Sequence, residues 1–179
     1  RWFSTLLNLE IPVIAAVDGP AYGAGFSLAL AADFVLASTR ARFCAVFVRV
    51  GLVPDLGALY LLPRLIGVHR AKDLVFTGRS LSAEQALGLG LVTSVHSADN
   101  LPDAAMAMAC RFHHASPVAL GQAKAILNRS LHTDQSTLAD MEAWAQALCF
   151  DSTYHKAAVA RFLAKKPLAF DWDRMDQDQ

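Results

Sequence analysis

Hydrophobic residues in this chain follow two regimes: short runs broken by Gly, Pro, Asp and Ser up to about residue 95, and helical spacing beyond residue 101. The run at residues 11–17 (IPVIAAV) reads as a buried strand, closed by the turn residues Asp18, Gly19 and Pro20. Residues 24–32, rich in Ala and Leu, read as a buried helix, followed by short strands over 34–37 and 41–43 and an irregular stretch to Val53. Pro54-Asp55 is predicted to open a helix to about Leu62, with a kink or break at Pro63, where proline removes an amide. A second helical piece over 68–76 ends at Gly78. Ser82 and Gln85 have the spacing of a capping box, so a short helix starts there and closes at Gly88 or Gly90, before a last strand over 91–95.

From residue 101 the pattern predicts helices over about 101–115, 117–131, 136–150 and 152–164; Leu138, Met141, Trp144, Ala145 and Leu148 recur on one helical repeat. Upstream, Trp2, Phe3, Leu6, Leu7 and Leu9 suit the end of a helix that delivers the chain to the first strand. No strand is expected after residue 100. The fold class is therefore α/β, with a strand-bearing portion over 1–100 and a helical region over 101–179. At 179 residues the chain is about one domain long, and 54% hydrophobic content is ample for a core.

Charge narrows the function. Sixteen basic and sixteen acidic residues cancel, which leaves no electrostatic footprint for nucleic acid or an anionic membrane surface. Residues 11–37 are apolar enough to resemble a membrane span, but two aspartates, two prolines and three glycines divide them into strand, helix and strand. Three cysteines (Cys44, Cys110, Cys149) are an odd number without metal-ligand spacing and fit a reducing compartment. With no leader or peroxisomal tripeptide visible, the cytoplasm is the expected location.

Gly23-Ala24-Gly25 carries the clearest chemical signal, because it lies where a buried strand gives way to a helix N-terminus. The first amides of a helix have no internal partners, and the helix dipole adds partial positive charge. Glycines on both sides of Ala24 let a ligand oxygen approach the backbone. In an acyl-transfer or enolate enzyme this is half of an oxyanion hole; otherwise it is a tight strand–helix junction, common in α/β folds. A nicotinamide cofactor is not indicated, since Leu28 stands where the dinucleotide fingerprint needs a third glycine.

The segment PVIAAVDGPAYGAG, followed by Asp33, resembles the signature of the crotonase (enoyl-CoA hydratase/isomerase) superfamily. The similarity continues through ARFCAVFVRVGLVPDLGALYLLPRLIG (41–67), TGRSLSAEQALGLGLVTSV (77–95) and FLAKKPLAF (162–170). The resemblance implies a spiral β/α core with a helical C-terminal oligomerisation region, a homotrimer or hexamer (dimer of trimers), and an acyl-CoA thioester as substrate. It implies no cofactor beyond the coenzyme A moiety of that substrate. Members usually begin with several strands upstream of the PVIAAV strand, which build most of the acyl-CoA site and donate the other oxyanion amide. Only residues 1–10 precede that strand here, so the chain is expected to represent the second half of the fold.

On the same resemblance Ala24 supplies one oxyanion amide, and Gly23 and Gly25 shape the turn around it. Hydratases of the family add two glutamates that position and activate water. Their places hold Ser27 and Phe47, neither of which accepts a proton near neutral pH, so two-glutamate hydration is not expected. Asp55, in GLVPDLG, lies where isomerases of the family also place a functional aspartate. A carboxylate beside an acyl thioester can take a proton from the α carbon and return it at the γ carbon, while the oxyanion hole holds the enolate. Leu52, Val53, Leu56 and Phe47 are the apolar neighbours expected around it.

Each candidate has a plainer alternative. Asp55 also suits a helix N-cap, and Ser27 a bond to its own helix backbone. Phe47 is expected to wall the acyl pocket; Tyr22 and Tyr60 are expected to pack. Phe162 and Lys165, beside Arg161 and Lys166, are expected to approach coenzyme A phosphates, or else to form a solvated face. No metal is expected: His113 and His114 point apart, and Cys110 and His113 have no further ligands nearby. Asp18 and Asp33 read as structural. The expected activity is that of an enoyl-CoA isomerase with Asp55 as single acid/base. The alternatives are an enoyl-CoA hydratase of fatty-acid or aromatic-acid degradation, and a truncated, inactive paralogue that only oligomerises.

Overall fold

The computed structural model describes residues 2–175. These residues divide into two compact units, one of residues 2–7 and 13–106 and the other of residues 8–12 and 107–175. In the first, α1 (Trp2–Leu7) precedes β1 (Ile14–Val17), β2 (Pro20–Tyr22), α2 (Ala24–Leu30), β3 (Phe34–Ser38) and β4 (Arg42–Cys44). After a 3-10 turn at Val46–Val50 come α3 (Ala58–Ile66), α4 (Val68–Thr77), β5 (Leu81–Ser82), α5 (Ala83–Gly88) and β6 (Ser94–His96). β3 lies between β1 and β6 in an all-parallel sheet, and β4 lies between β2, parallel to it, and β5, antiparallel.

β3 is central and covered on both faces, which is why its sequence is a continuous apolar run ending in a buried serine. Its entry is fixed by Asp33, whose carboxylate accepts the Val13 amide at 2.7 Å. Its exit is fixed by Ser38, whose hydroxyl donates to the Asp18 carbonyl at 2.9 Å. Asp18 pairs through its carboxylate with Arg40, and that hydrogen bond holds the Asp18 carboxyl below the usual carboxylate range. Both aspartates are structural. Phe26 of α2 meets Phe43 of β4 with ring centroids 6.1 Å apart, in a core shared with Leu62, Leu74 and Leu81.

Three local features differ from expectation, besides the last strand, which runs over Ser94–His96 instead of 91–95. β2 begins at Pro20, read as the last turn residue, and its three residues are strand because β4 pairs with them. α3 starts at Ala58 instead of Pro54, because Leu56 and Gly57 are left-handed (φ 46° and 77°) and cannot join a right-handed helix. Pro63 lies inside α3 without ending it; its missing amide falls one helical turn after Leu59, a residue that is exposed. The capping box is present as read, with Ser82 Oγ accepting the Gln85 amide and Gln85 Oε1 accepting the Ser82 amide.

From α6 (Leu101–Phe112) onward the described residues contain helices and no strand: α7 (Pro117–Leu127), α8 (Gln135–Asp151), α9 (Thr153–Leu163) and α10 (Trp172–Met175), with a 3-10 turn at Ser130–His132. Ser116, Asp134 and Ser152 cap α7, α8 and α9 through their side chains. Trp172 anchors the C-terminal segment between Phe112 and Phe170, under the Arg111 guanidinium. No helix among the described residues is long and apolar enough to cross a membrane.

In the second unit, residues 8–12 cross α7 at Gly121, where a Cβ would fall 2.9 Å from both the Cβ and the carbonyl oxygen of Glu10. Alanine is the better helix former by about 1 kcal/mol, but backbone at that distance cannot rotate out of the way. Gly121→Ala is therefore expected to destabilise the protein by about 1–3 kcal/mol, read as a lower urea midpoint. A raised midpoint would mean that residues 8–12 yield and helix propensity decides.

Candidate active site

β2 ends at Tyr22 and α2 begins at Ala24, so the reversal between them falls on Gly23. Its φ of 55° and ψ of −120° lie where residues with a Cβ are strained. The Gly23 amide donates to the Cys44 carbonyl at 3.0 Å, and the Gly23 carbonyl accepts from the Ser27 amide at 3.1 Å. These bonds hold the peptide plane that carries the Ala24 amide. Since the helical ladder opens with Ser27, the amides of Ala24, Gly25 and Phe26 have no intrahelical acceptor. Ala24 and Gly25 are exposed, and Gly23 is buried.

Ser27 turns inward. It is fully buried, and its hydroxyl donates to the Gly23 carbonyl at 3.3 Å, bracing the turn from beneath. Phe47, on the 3-10 turn after β4, comes against the same glycine: its Cζ lies 3.7 Å from where a Gly23 Cβ would stand, beside Val46 Cγ1 at 3.5 Å. The fold thus brings Gly23, Ala24, Ser27 and Phe47 together.

Asp55 is exposed, on the segment that leads into α3. It is not the helix cap; Gly57 occupies that position, with no side chain capping it. The Asp55 carbonyl instead accepts the Ala58 amide at 3.0 Å. Of the expected apolar neighbours, Leu56 and Phe47 are half-buried, whereas Leu52 and Val53 are 61% and 75% exposed and do not enclose the carboxylate within this chain. α3 packs against α2, so the helix that follows Asp55 runs beside the one that begins at Ala24.

Cys44 is a supporting residue that sequence reasoning missed. Its carbonyl holds Gly23, and its thiol donates to the Gly78 carbonyl at 3.0 Å, where Arg49 also donates at 2.6 Å. Burial pushes the thiol up from its ordinary value, so it stays protonated and acts as a tie between β4 and the end of α4. Nothing local in the sequence marks it, because the carbonyl's partner lies well upstream and the thiol's lies 34 residues downstream. Tyr22 bonds Ser80 at 3.0 Å through its hydroxyl, and the Tyr60 ring lies 3.6 Å under the Arg64 guanidinium.

Phe162 and Lys165 lie at the end of α9, in the second unit. Phe162 is 72% exposed, and its carbonyl accepts the amide of Lys165, itself left-handed at φ 54°. Among the described residues, no three His, Cys, Asp or Glu side chains are gathered as a metal site would require.

A parallel sheet flanked by helices, with amides at the start of α2 that have no intrahelical acceptor, defines an α/β protein. Residues 1–173 match the family model described as Enoyl-CoA hydratase/isomerase, and the chain belongs to that family. It is 36% identical over 166 residues to a short-chain-enoyl-CoA hydratase from Clostridium acetobutylicum, covering 93% of this chain and 64% of the relative. It is 38% identical over 165 residues to a 1,2-epoxyphenylacetyl-CoA isomerase from Escherichia coli K12, covering 92% and 63%. The crystal structure of an enoyl-CoA hydratase/isomerase from Cupriavidus metallidurans CH34 superposes with a TM-score of 0.92 at 52% identity, over 95% of this chain and 64% of that one. The fold is that of the crotonase superfamily, and the chain spans just under two thirds of the length of these relatives.

Proposed function

We propose that this protein shifts a double bond in an enoyl-CoA thioester, with Asp55 as the single acid/base and the Ala24 amide as one donor to the enolate oxygen. The observation that carries the reading is the chemistry at the two positions where hydratases of the family hold glutamates. Ser27 is buried on the Gly23 carbonyl, and Phe47 is an aromatic ring against the same residue. Neither moves a proton, whereas Asp55 is a carboxylate within reach of solvent.

In the proposed step, Asp55 takes the α proton of a 3-enoyl thioester and the electron pair passes onto the thioester oxygen. The Ala24 amide stabilises that oxyanion through the charge-favouring end of α2. The same proton then returns at the γ carbon, and the double bond settles in conjugation with the carbonyl. One base suffices, and no water or cofactor beyond the substrate's coenzyme A takes part. Phe47 keeps water from the enolate. Gly25 leaves room for the thioester, and Phe162 and Lys165 reach the coenzyme A of a neighbouring subunit. The relatives include both a hydratase and an isomerase, so the choice between them rests on Ser27, Phe47 and Asp55.

The second unit supports an oligomeric reading, as a homotrimer or a hexamer. Leu127, Trp144, Phe162 and Leu163 are each more than two thirds exposed, a pattern that marks association surfaces. Three thiols, none joined in a disulfide, suit the cytoplasm.

The test is ultraviolet absorbance with two substrates. A 3-enoyl-CoA should gain absorbance as conjugation forms, and a 2-enoyl-CoA should not lose it by hydration. Hydration without isomerisation would overturn the reading in favour of a hydratase.

A further inference from the structure

The strained turn behind Asp55 is covered by a side chain from far upstream. Leu56 and Gly57 are successive left-handed residues. Glycine accepts that backbone, but leucine resists it, because its Cβ crowds the next carbonyl. Leu56 therefore needs packing to hold it. Phe3 of α1 packs on the other residue of the turn, Gly57. A Cβ on Gly57 would fall 2.2 Å from Phe3 Cε1 and 2.5 Å from Cζ, so the ring edge stands directly on the bare Cα. Phe3 is half-buried and belongs to the same compact unit as the turn. On the other side, Pro54 is buried and anchors the approach to Asp55.

The turn also begins α3. The Asp55 carbonyl accepts the Ala58 amide at 3.0 Å, and the Gly57 carbonyl accepts those of Tyr60 at 3.0 Å and Leu61 at 2.8 Å. Were Leu56 to relax to right-handed backbone, the bond from the Ala58 amide to the Asp55 carbonyl, which spans it, would break and the chain would leave Asp55 in another direction. We infer that Phe3 is a positioning residue: seated on Gly57, it keeps Leu56 left-handed and fixes where Asp55 aims its carboxylate. This rests on the reading of Asp55 as the acid/base. Phe3 acts through the turn and not on substrate.

The experiment compares the native chain with Phe3→Ala, Phe3→Leu and Asp55→Asn. It reads amide hydrogen exchange at Ala58 and the steady-state constants for 3-enoyl-CoA isomerisation. Phe3→Ala should speed Ala58 exchange by about tenfold or more and lower kcat by about tenfold to a hundredfold, with KM within about twofold of native. Phe3→Leu, which keeps an apolar group on Gly57, should restore most of both and stands in where Phe3→Ala does not fold. Unchanged Ala58 exchange in both Phe3 variants, or a loss confined to KM, overturns the inference. Should Asp55→Asn isomerise as fast as native, the acid/base reading falls by itself, while Ala58 exchange still decides whether Phe3 holds the turn.

Discussion

Asp55→Asn is expected to reduce double-bond migration by about two or more orders of magnitude in kcat, with little change in KM. Asparagine matches the size of aspartate and keeps a carbonyl oxygen, so the shape of the site survives while the lone proton acceptor is lost. The structure makes the fold insensitive to this change: the side chain is exposed, α3 is capped by Gly57, and the bond to Ala58 comes from the Asp55 backbone. The thermal midpoint should therefore stay where it is, which separates a chemical loss from a structural one. The measurement is the rise in absorbance of the conjugated thioester, beside a melting curve for the same sample. Full activity in the variant would remove Asp55 from the mechanism, and a loss accompanied by melting would reassign it to the fold.

Local patterns in the sequence were legible where the physics is local. The capping box at Ser82 and Gln85 involves four consecutive residues and appears as read. The turn at Gly23 was legible because a glycine between a strand and a helix signals a backbone that other residues avoid. The backbone-bonding alternative for Ser27 was also legible, since its acceptor is one helical turn away. What stayed hidden depends on residues distant in sequence. β2 is strand only through Arg42, Phe43 and Cys44. The start of α3 was misplaced because Pro54-Asp55 has the composition of a helix opening, and nothing in a leucine announces φ of 46°. The ring that covers the next residue, Gly57, comes from Phe3, more than fifty residues earlier. The tie from Cys44 and Arg49 to Gly78 likewise exists only once β4 and α4 have met.

Gly23→Ala is expected to disable the proposed oxyanion donor through the backbone, without steric conflict. A Cβ at this position would meet Val46 Cγ1 at 3.5 Å and Phe47 Cζ at 3.7 Å, ordinary contacts that require no neighbour to move. The penalty lies in φ of 55° with ψ of −120°, a conformation that costs a residue with a side chain about 1–3 kcal/mol. The chain has two responses. It can keep the conformation and lose stability, or rotate the Gly23–Ala24 peptide toward an allowed region. Rotation sacrifices the bonds from Ser27 to the Gly23 carbonyl and turns the Ala24 amide off its line. Losing one oxyanion donor lowers kcat by about 100- to 1000-fold, and the donor matters more for the enolate than for the neutral thioester, so KM should move much less. The diagnostic is a fall in kcat larger than the folded fraction explains, taken from kinetics and a urea curve on one preparation. Native kcat in the folded variant would mean that the Ala24 amide does not hold the enolate.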